Sequence, residues 1–383
     1  MFRTGLFILI SLLLTACSSP SSRPATPLSE TLESSVELTR DWFYFLHDSA
    51  DAYNRLAFEP VAVNGVLYAA TAKGQITLLD AKSGSFISRW DIAESISYGL
   101  TTDGQYLYVS TDNAEIIAIG LDGIEIWRTA LTSRVLGKAA VNNQLLYVLS
   151  QDGYLVALDR KTGQQVWLYD SGNPKLTIFG DASPVIAGAQ VVAAFASGRI
   201  QGFRQETGDL LWSQELGKAK GRTDLKRIND SDASPVVVNQ KFVFGNSLQD
   251  EVLLISLENG RPVKKYPYGS RHSVIPFTDT LVIQLNNDSI IGLHPQTGDL
   301  LWENQDFVYR ELTDAAIWQG FLAFGDKFGW LHVVDPNTGI SVARYQVDHI
   351  GISGKPLSLG KQLIVQGESG RFKSFSMTQA EAN

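Results

Sequence analysis

The chain is nearly without cysteine: of 383 residues, only Cys17 carries a thiol. An intrachain disulfide is excluded, so the fold has to be held by its core, and a chain of this length is ample for one. Methionine is scarce, at two residues, and the five histidines (His47, His272, His294, His332, His349) are scattered, with no pair at metal-ligand spacing. No Gly-x-Ser-x-Gly elbow, phosphate-cradling Gly-Lys loop or zinc signature occurs. Long apolar runs are missing too. The run at residues 5–14 is about half of the roughly 20 residues that a spanning helix needs. Basic residues are in deficit, 32 Lys and Arg against 40 Asp and Glu, for a net charge of −8. Such a chain is a poor nucleic-acid binder, because neutralising phosphates requires a basic face.

The short apolar run is informative by its flanks. Met-Phe-Arg precedes it and Leu14-Thr-Ala-Cys17 follows. A charged start, a short apolar core and small residues before a cleavage point mark an export signal over residues 1–16. Leu-Thr-Ala-Cys resembles a bacterial lipobox, which implies that the Cys17 thiol is lipidated and anchors the mature chain to a membrane outside the cytoplasm. Loss of residues 1–16 removes only Arg3 among the charges, leaving 31 Lys and Arg against 40 Asp and Glu, a net charge of −9. Residues 18–29, rich in Ser and Pro, have no apolar period and cannot bury enough surface to offset chain entropy, so 17–35 reads as a flexible tether. In the lipoproteins that this start resembles, an aspartate after the cysteine signals inner-membrane retention. Ser18 therefore implies the periplasmic face of the outer membrane.

What is plentiful is Gly, Val, Leu, Ile and Trp, which favours strands and tight turns. These residues repeat. An apolar motif opened by a turn residue occurs at Gly74-Gln-Ile-Thr-Leu-Leu-Asp80, Gly153-Tyr-Leu-Val-Ala-Leu-Asp159 and Gly329-Trp-Leu-His-Val-Val-Asp335. Further copies start at Ala114, Gly198, Asp250, Asp288 and Gly370, so there are eight, spaced by 40, 39, 45, 52, 38, 41 and 41 residues. The first seven lead into a Gly turn and an aromatic strand: Thr162-Gly-Gln-Gln-Val-Trp167, Thr207-Gly-Asp-Leu-Leu-Trp212 and Thr297-Gly-Asp-Leu-Leu-Trp302 are near identical. A further strand pair lies upstream of many copies, as in Pro60-Val-Ala-Val-Asn-Gly-Val-Leu-Tyr68. Four strands in about 40 residues make a β-propeller blade, whereas a β-solenoid would have a much shorter period.

The eighth copy ends near the C-terminus without an aromatic strand after it. Residues 37–46, with Trp42, are the natural donor. The expected fold is therefore all-β: an eight-bladed propeller of four-stranded antiparallel blades over 36–378, closed by an N-terminal strand joining the last blade, with a short tail at 379–383.

The Leu-Asp-x-x-Thr-Gly-x-x-x-Trp pattern resembles the PQQ-type propeller repeat over nearly the whole mature chain. That repeat is found in quinoprotein dehydrogenases and in the non-catalytic BamB lipoprotein family of the bacterial β-barrel assembly (BAM) machinery. The dehydrogenases carry vicinal cysteines above the quinone, which this chain lacks, and no convincing set of calcium or quinone ligands is found. No cofactor and no enzymatic activity are expected on this reading. Gly221-Arg-Thr-Asp-Leu-Lys-Arg-Ile-Asn-Asp-Ser-Asp-Ala-Ser-Pro235, inside the 52-residue spacing, is similar to a long loop of the BamB family, and Leu176-Thr-Ile-Phe-Gly-Asp-Ala-Ser-Pro184 is similar to a second loop one blade earlier. In the family both help to bind BamA through its periplasmic POTRA domains. The resemblance thus makes Leu176, Ile178, Phe179, Asp230 and Asp232 candidate partner-binding residues. It also implies a scaffold role in the insertion of outer-membrane β-barrel proteins, whose unfolded strands are further candidate partners through blade edges. The rival class is another periplasmic scaffold propeller.

One departure stands out. The family pattern has Arg where this chain has Phe179. A guanidinium pairs with a carboxylate and a phenyl ring does not, so the contact is expected to be more apolar and less salt-sensitive. On the residues alone, Leu176, Ile178 and Phe179 form either an interface patch or a cap on the propeller core. Asp230 and Asp232 either accept hydrogen bonds from a partner or cap the turn before a strand. As a calcium loop, Asp-Ser-Asp lacks the required glycine. Lys218, Lys220, Arg222, Lys226 and Arg227 on the same loop read as a solvated basic cluster.

Overall fold

The computed structural model describes residues 23–32, 34–46, 58–172, 182–217, 233–248, 251–352 and 354–379. Among them every helix or strand element is a strand, and the strands make eight four-stranded antiparallel sheets. The sheets follow the sequence repeat: blade 1 spans 61–91, blade 2 96–130, blade 3 140–170, blade 4 185–215, blade 5 236–266, blade 6 275–304 and blade 7 316–346. Blade 8 takes three strands from 357–379 and its fourth from Val36–Phe45. Each blade is a meander from a short inner strand to an outer one. The second and third strands are buried on both faces because neighbouring blades cover both, which explains their continuous apolar runs, such as Ile116 to Ile119 at 0–2% exposure. The core is divided between blades: Trp167, Tyr147, Phe195 and Phe203, for example, fill the space between blades 3 and 4.

The expected closing strand, 37–46, is found one residue earlier as Val36–Phe45. It pairs antiparallel with Arg371–Gln379, from Val36 opposite Gln379 to Phe45 opposite Arg371. The register shifts between Arg40 and Trp42. A comparable shift occurs between the third and fourth strands of the other blades, for instance at Ala157/Leu158 and Gly202/Phe203, so the N-terminal strand reproduces the bulge of a covalently continuous blade.

The repeated Gly and Trp explain each other. Gly208, at φ +74°, lies so close to Trp167 of the preceding blade that a Cβ would be 2.7 Å from the indole ring. The Trp167 Nε1–H then donates to the Gln205 carbonyl at 2.8 Å. Each aromatic plate thus rests on the glycine turn of the next blade, and only a residue without Cβ that tolerates positive φ fits there. Trp42 does the same across the closure: it stacks on Gly84 of blade 1 and donates from Nε1 to the Ala81 carbonyl at 3.2 Å.

Alternating strand directions place the turn between second and third strands, and the connection to the next blade, on one face. This upper face carries every interblade connection.

Candidate docking face

Leu176, Ile178, Phe179, Asp230 and Asp232 lie outside the described residues, as do Cys17 and the basic cluster at 218–227. The structure describes the roots of the two loops that hold the five candidates. Residues 173–181 connect the outer strand of blade 3, Gln165–Asp170, to the inner strand of blade 4, Val185–Ala187. Residues 218–232 connect the outer strand of blade 4, Leu210–Glu215, to the inner strand of blade 5, Val236–Val238. The roots of both therefore lie on the upper face, flanking blade 4.

Their returning ends have the same sequence, Asp181-Ala-Ser-Pro-Val185 and Asp232-Ala-Ser-Pro-Val236. In each, Ala is buried and Pro leads into the inner strand. Proline suits this place, because the exposed edge of an inner strand needs no ladder donor. The two serines link the loops. The Ser183 amide N–H donates to Ser234 Oγ at 2.9 Å, and the Lys138 N–H donates to Ser183 Oγ at 2.7 Å. On the other side, Ser273 Oγ–H donates to the Ser234 carbonyl at 3.1 Å. Blades 3, 4, 5 and 6 are thus tied in series where their inner strands begin. Lys138 Nζ also forms an ion pair with Glu59, which joins blade 3 to the start of blade 1.

The series continues with a histidine–carboxylate contact. His272 Nδ1 lies 2.7 Å from Asp314 Oδ1, linking blade 6 to blade 7. Burial pushes the Asp314 carboxyl up, but the hydrogen bond from His272 and the positive charges nearby outweigh it and hold the carboxyl below the usual range. Sequence reading missed the two serines and Lys138. The exact repetition of Asp-Ala-Ser-Pro-Val across a break in the 40-residue period was the available signal. Among the described residues, no group of three His, Cys, Asp or Glu side chains is placed to hold a metal ion, and no helix is long and apolar enough to cross a membrane.

The match to known proteins follows this frame. A curated BamB from Yersinia pestis is 28% identical over 338 residues, covering 85% of each chain. That of Burkholderia pseudomallei is 28% identical over 368 residues, covering 95% of each. The crystal structure of BamB from Moraxella catarrhalis superimposes with a TM-score of 0.79 at 21% identity, covering 89% of this chain and 100% of that one, and at that identity it supports the fold alone. The family model described as outer membrane protein assembly factor BamB matches residues 72–304, more than half of the chain, and the chain therefore belongs to the BamB family.

Proposed function

We propose that this propeller is a non-enzymatic scaffold of the outer-membrane β-barrel assembly complex. It is held at the periplasmic face of the outer membrane by lipid on Cys17 and binds the POTRA domains of BamA through its upper face. The observation that carries this reading is the pair of loop roots beside blade 4 in a chain of the BamB family, fixed to one another through Ser183 and Ser234. Because their roots are tied, the two loops meet a partner from one pre-organised base, and pre-organisation favours affinity. Phe179, where the family pattern has Arg, makes that surface more apolar.

A second role rests on a different observation. The outer strands expose apolar side chains around the circumference: Ile126 on blade 2, beside Ile124 in the turn before it, Val166 and Leu168 on blade 3, Leu210 and Leu211 on blade 4. Outer strand edges with apolar side chains fit the addition of an extended strand from an unfolded barrel protein.

The test is a pull-down of residues 18–383 on the POTRA domains of the same organism's BamA, beside a variant with Leu176, Ile178, Asp230 and Asp232 changed to Ala. Binding by the parent and loss in a folded variant is the expected result. Binding by both moves the site to another part of the molecule. No binding by the parent overturns the assignment of BamA as partner and favours another periplasmic scaffold role.

A further inference from the structure

The part of the tether that the structure describes does not hang free of the propeller. Residues 23–29 lie on the upper face along blades 6 and 7. The Thr26 amide N–H donates to the Val308 carbonyl at 2.9 Å, and the Thr26 carbonyl accepts from Arg310 Nη1 at 2.9 Å. Arg23 Nη1 donates to Tyr309 OH at 2.7 Å with its guanidinium 5.5 Å from the ring centre, and Arg344 donates to the Ser29 carbonyl.

The receiving surface is held by contacts within the propeller itself. Arg310 is buried and held by Asp326, fully buried, whose Oδ2 accepts from its Nε and Nη2, each at 2.7 Å. This leaves Nη1 aimed at the strap. The neighbouring backbone takes up positive φ at two non-glycine residues, Tyr309 (59°) and Glu311 (50°). It is kept there by Asp288, which accepts from the Glu311 and Leu312 amides at 2.9 and 3.3 Å. Strained backbone of this kind persists only where its surroundings over-determine it. Between strap and propeller is a cavity of about 510 Å³ lined by Leu28, Phe328, Trp330, His349 and Ile350 among others. Its cations are already paired, Arg310 with Asp326 and Lys327 with Glu311, so a separate anionic ligand has little to bind there.

The position of the strap has a consequence for orientation. Arg23 is six residues beyond Cys17. Six extended residues reach at most about 20 Å. Were the chain free up to Val36, the leash would have nineteen residues and a reach of about 65 Å. Around the docked end, Phe328 and Ile350 are 40% and 52% exposed, beside the guanidinium groups of Arg344 and Arg23, which bond to the strap carbonyl of Ser29 and to the Tyr309 hydroxyl. Apolar and aromatic groups rimmed by cations suit the headgroup region of a phospholipid layer.

We propose that residues 23–29 are a docked strap that seats the lipid anchor beside blades 6 and 7, so that the rim carrying Phe328 and Ile350 lies against the phospholipid surface. This rests on the lipid-anchor reading of Cys17. The roots of the two loops that flank blade 4 share the upper face but lie two to three blades away from the strap.

The experiment uses the full-length lipidated protein in vesicles of phosphatidylethanolamine and phosphatidylglycerol. With the Cys17 thiol acylated, a single fluorescent label is placed at Ile350→Cys or, on the opposite face, at Asn143→Cys. Quenching by headgroup-labelled lipid is expected to be several-fold stronger at residue 350. A Gly/Ser insertion of about 20 residues after Ser18, a flexible coil, is expected to erase the difference while leaving the strap docked. Undocking by Arg23→Ala with Thr26→Pro should erase it as well, and the Thr26 amide should be protected from hydrogen exchange in the parent. Failure of the protein to float with vesicles overturns both the anchor and the orientation. Flotation with equal quenching at the two positions, or with a difference that survives insertion and undocking, overturns the orientation alone.

Discussion

Closure of the ring through Trp42 can be measured. Trp42 is 7% exposed, packs with Leu46, Leu67, Leu79 and Phe372, and covers Gly84 of blade 1. Truncation of a buried Trp to Ala costs about 3–5 kcal/mol, since the cavity cannot collapse onto a glycine turn that has no side chain to follow. The Ala81 carbonyl also loses its donor, worth about 1 kcal/mol. Trp42→Phe keeps most of the plate and loses chiefly the hydrogen bond. The expected order in urea unfolding is therefore parent, then Trp42→Phe lower by about 1–2 kcal/mol, then Trp42→Ala lower by about 4–6 kcal/mol. Trp167→Ala removes the equivalent plate inside the ring, where the blades on both sides are continuous chain. If the N-terminal strand is the true fourth strand of blade 8, the two Ala variants lose similar stability, and in Trp42→Ala the amides of Arg371–Gln379 exchange faster than those of blade 4. A loss below about 1.5 kcal/mol for Trp42→Ala, well under the range for a buried Trp, would refute the closure argument.

Three further outcomes are expected. Gly208→Ala forces a Cβ to 2.7 Å from the Trp167 ring and holds Ala at φ +74°, so urea melts should show a loss of about 1–2 kcal/mol for the backbone and about 1–3 kcal/mol for overpacking. Acid should destabilise the ring in two steps. Burial keeps the His332 imidazole below its usual range despite its bond to Asp326, so the unfolded chain takes up a proton near about pH 6.5 that the folded protein does not, and stability falls as pH drops below that value. Burial also pushes up the Asp348 and Asp326 carboxyls, but their hydrogen bonds, from Ser369 and from His332 respectively, outweigh it, so the stability they contribute above about pH 4 is lost as pH falls through their folded values. Melts at stepped pH should show His332→Gln flattening the first step, while the part of the second step carried by Asp348 remains. Finally, Ser183→Ala with Ser234→Ala unties the loop roots. BamA binding should weaken while the circular dichroism spectrum stays that of the parent.

Much of this fold was legible because the propeller writes its packing locally. The apolar turn–strand motif recurs eight times, and the Gly…aromatic segment after seven of the copies encodes a contact between blades, since the Gly of one turn receives the aromatic plate of the blade before it; the eighth copy's lack of that segment marks the missing strand. Trp42 fell into place for that reason, although it lies over 330 residues from Phe375 in the blade it completes. The loop roots were less legible: Ser183 and Ser234 are ordinary residues whose meaning lies in a hydrogen bond 51 positions apart. The strap was illegible from composition. Residues 23–29 have no apolar period, and what holds Thr26 is a guanidinium and a carbonyl from residues 308–310, fixed in turn by the buried Asp326.

These features assign different work to different sectors of one face. Blades 3 to 6 are tied at their inner ends by Lys138, Ser183, Ser234 and Ser273, which holds the roots of the two candidate loops at a fixed separation. Blades 6 and 7 hold the strap through a guanidinium whose counter-charge is buried. A rigid ring between the two sectors transmits orientation: because neighbouring blades share close-packed cores, fixing the strap sector relative to a membrane fixes the roots of the blade 4 loops as well. Lengthening the strap and untying the loop roots should therefore act differently on partner binding. The first lowers the effective concentration of the loops near a membrane-embedded partner without changing affinity for the isolated POTRA domains, and the second lowers that affinity itself.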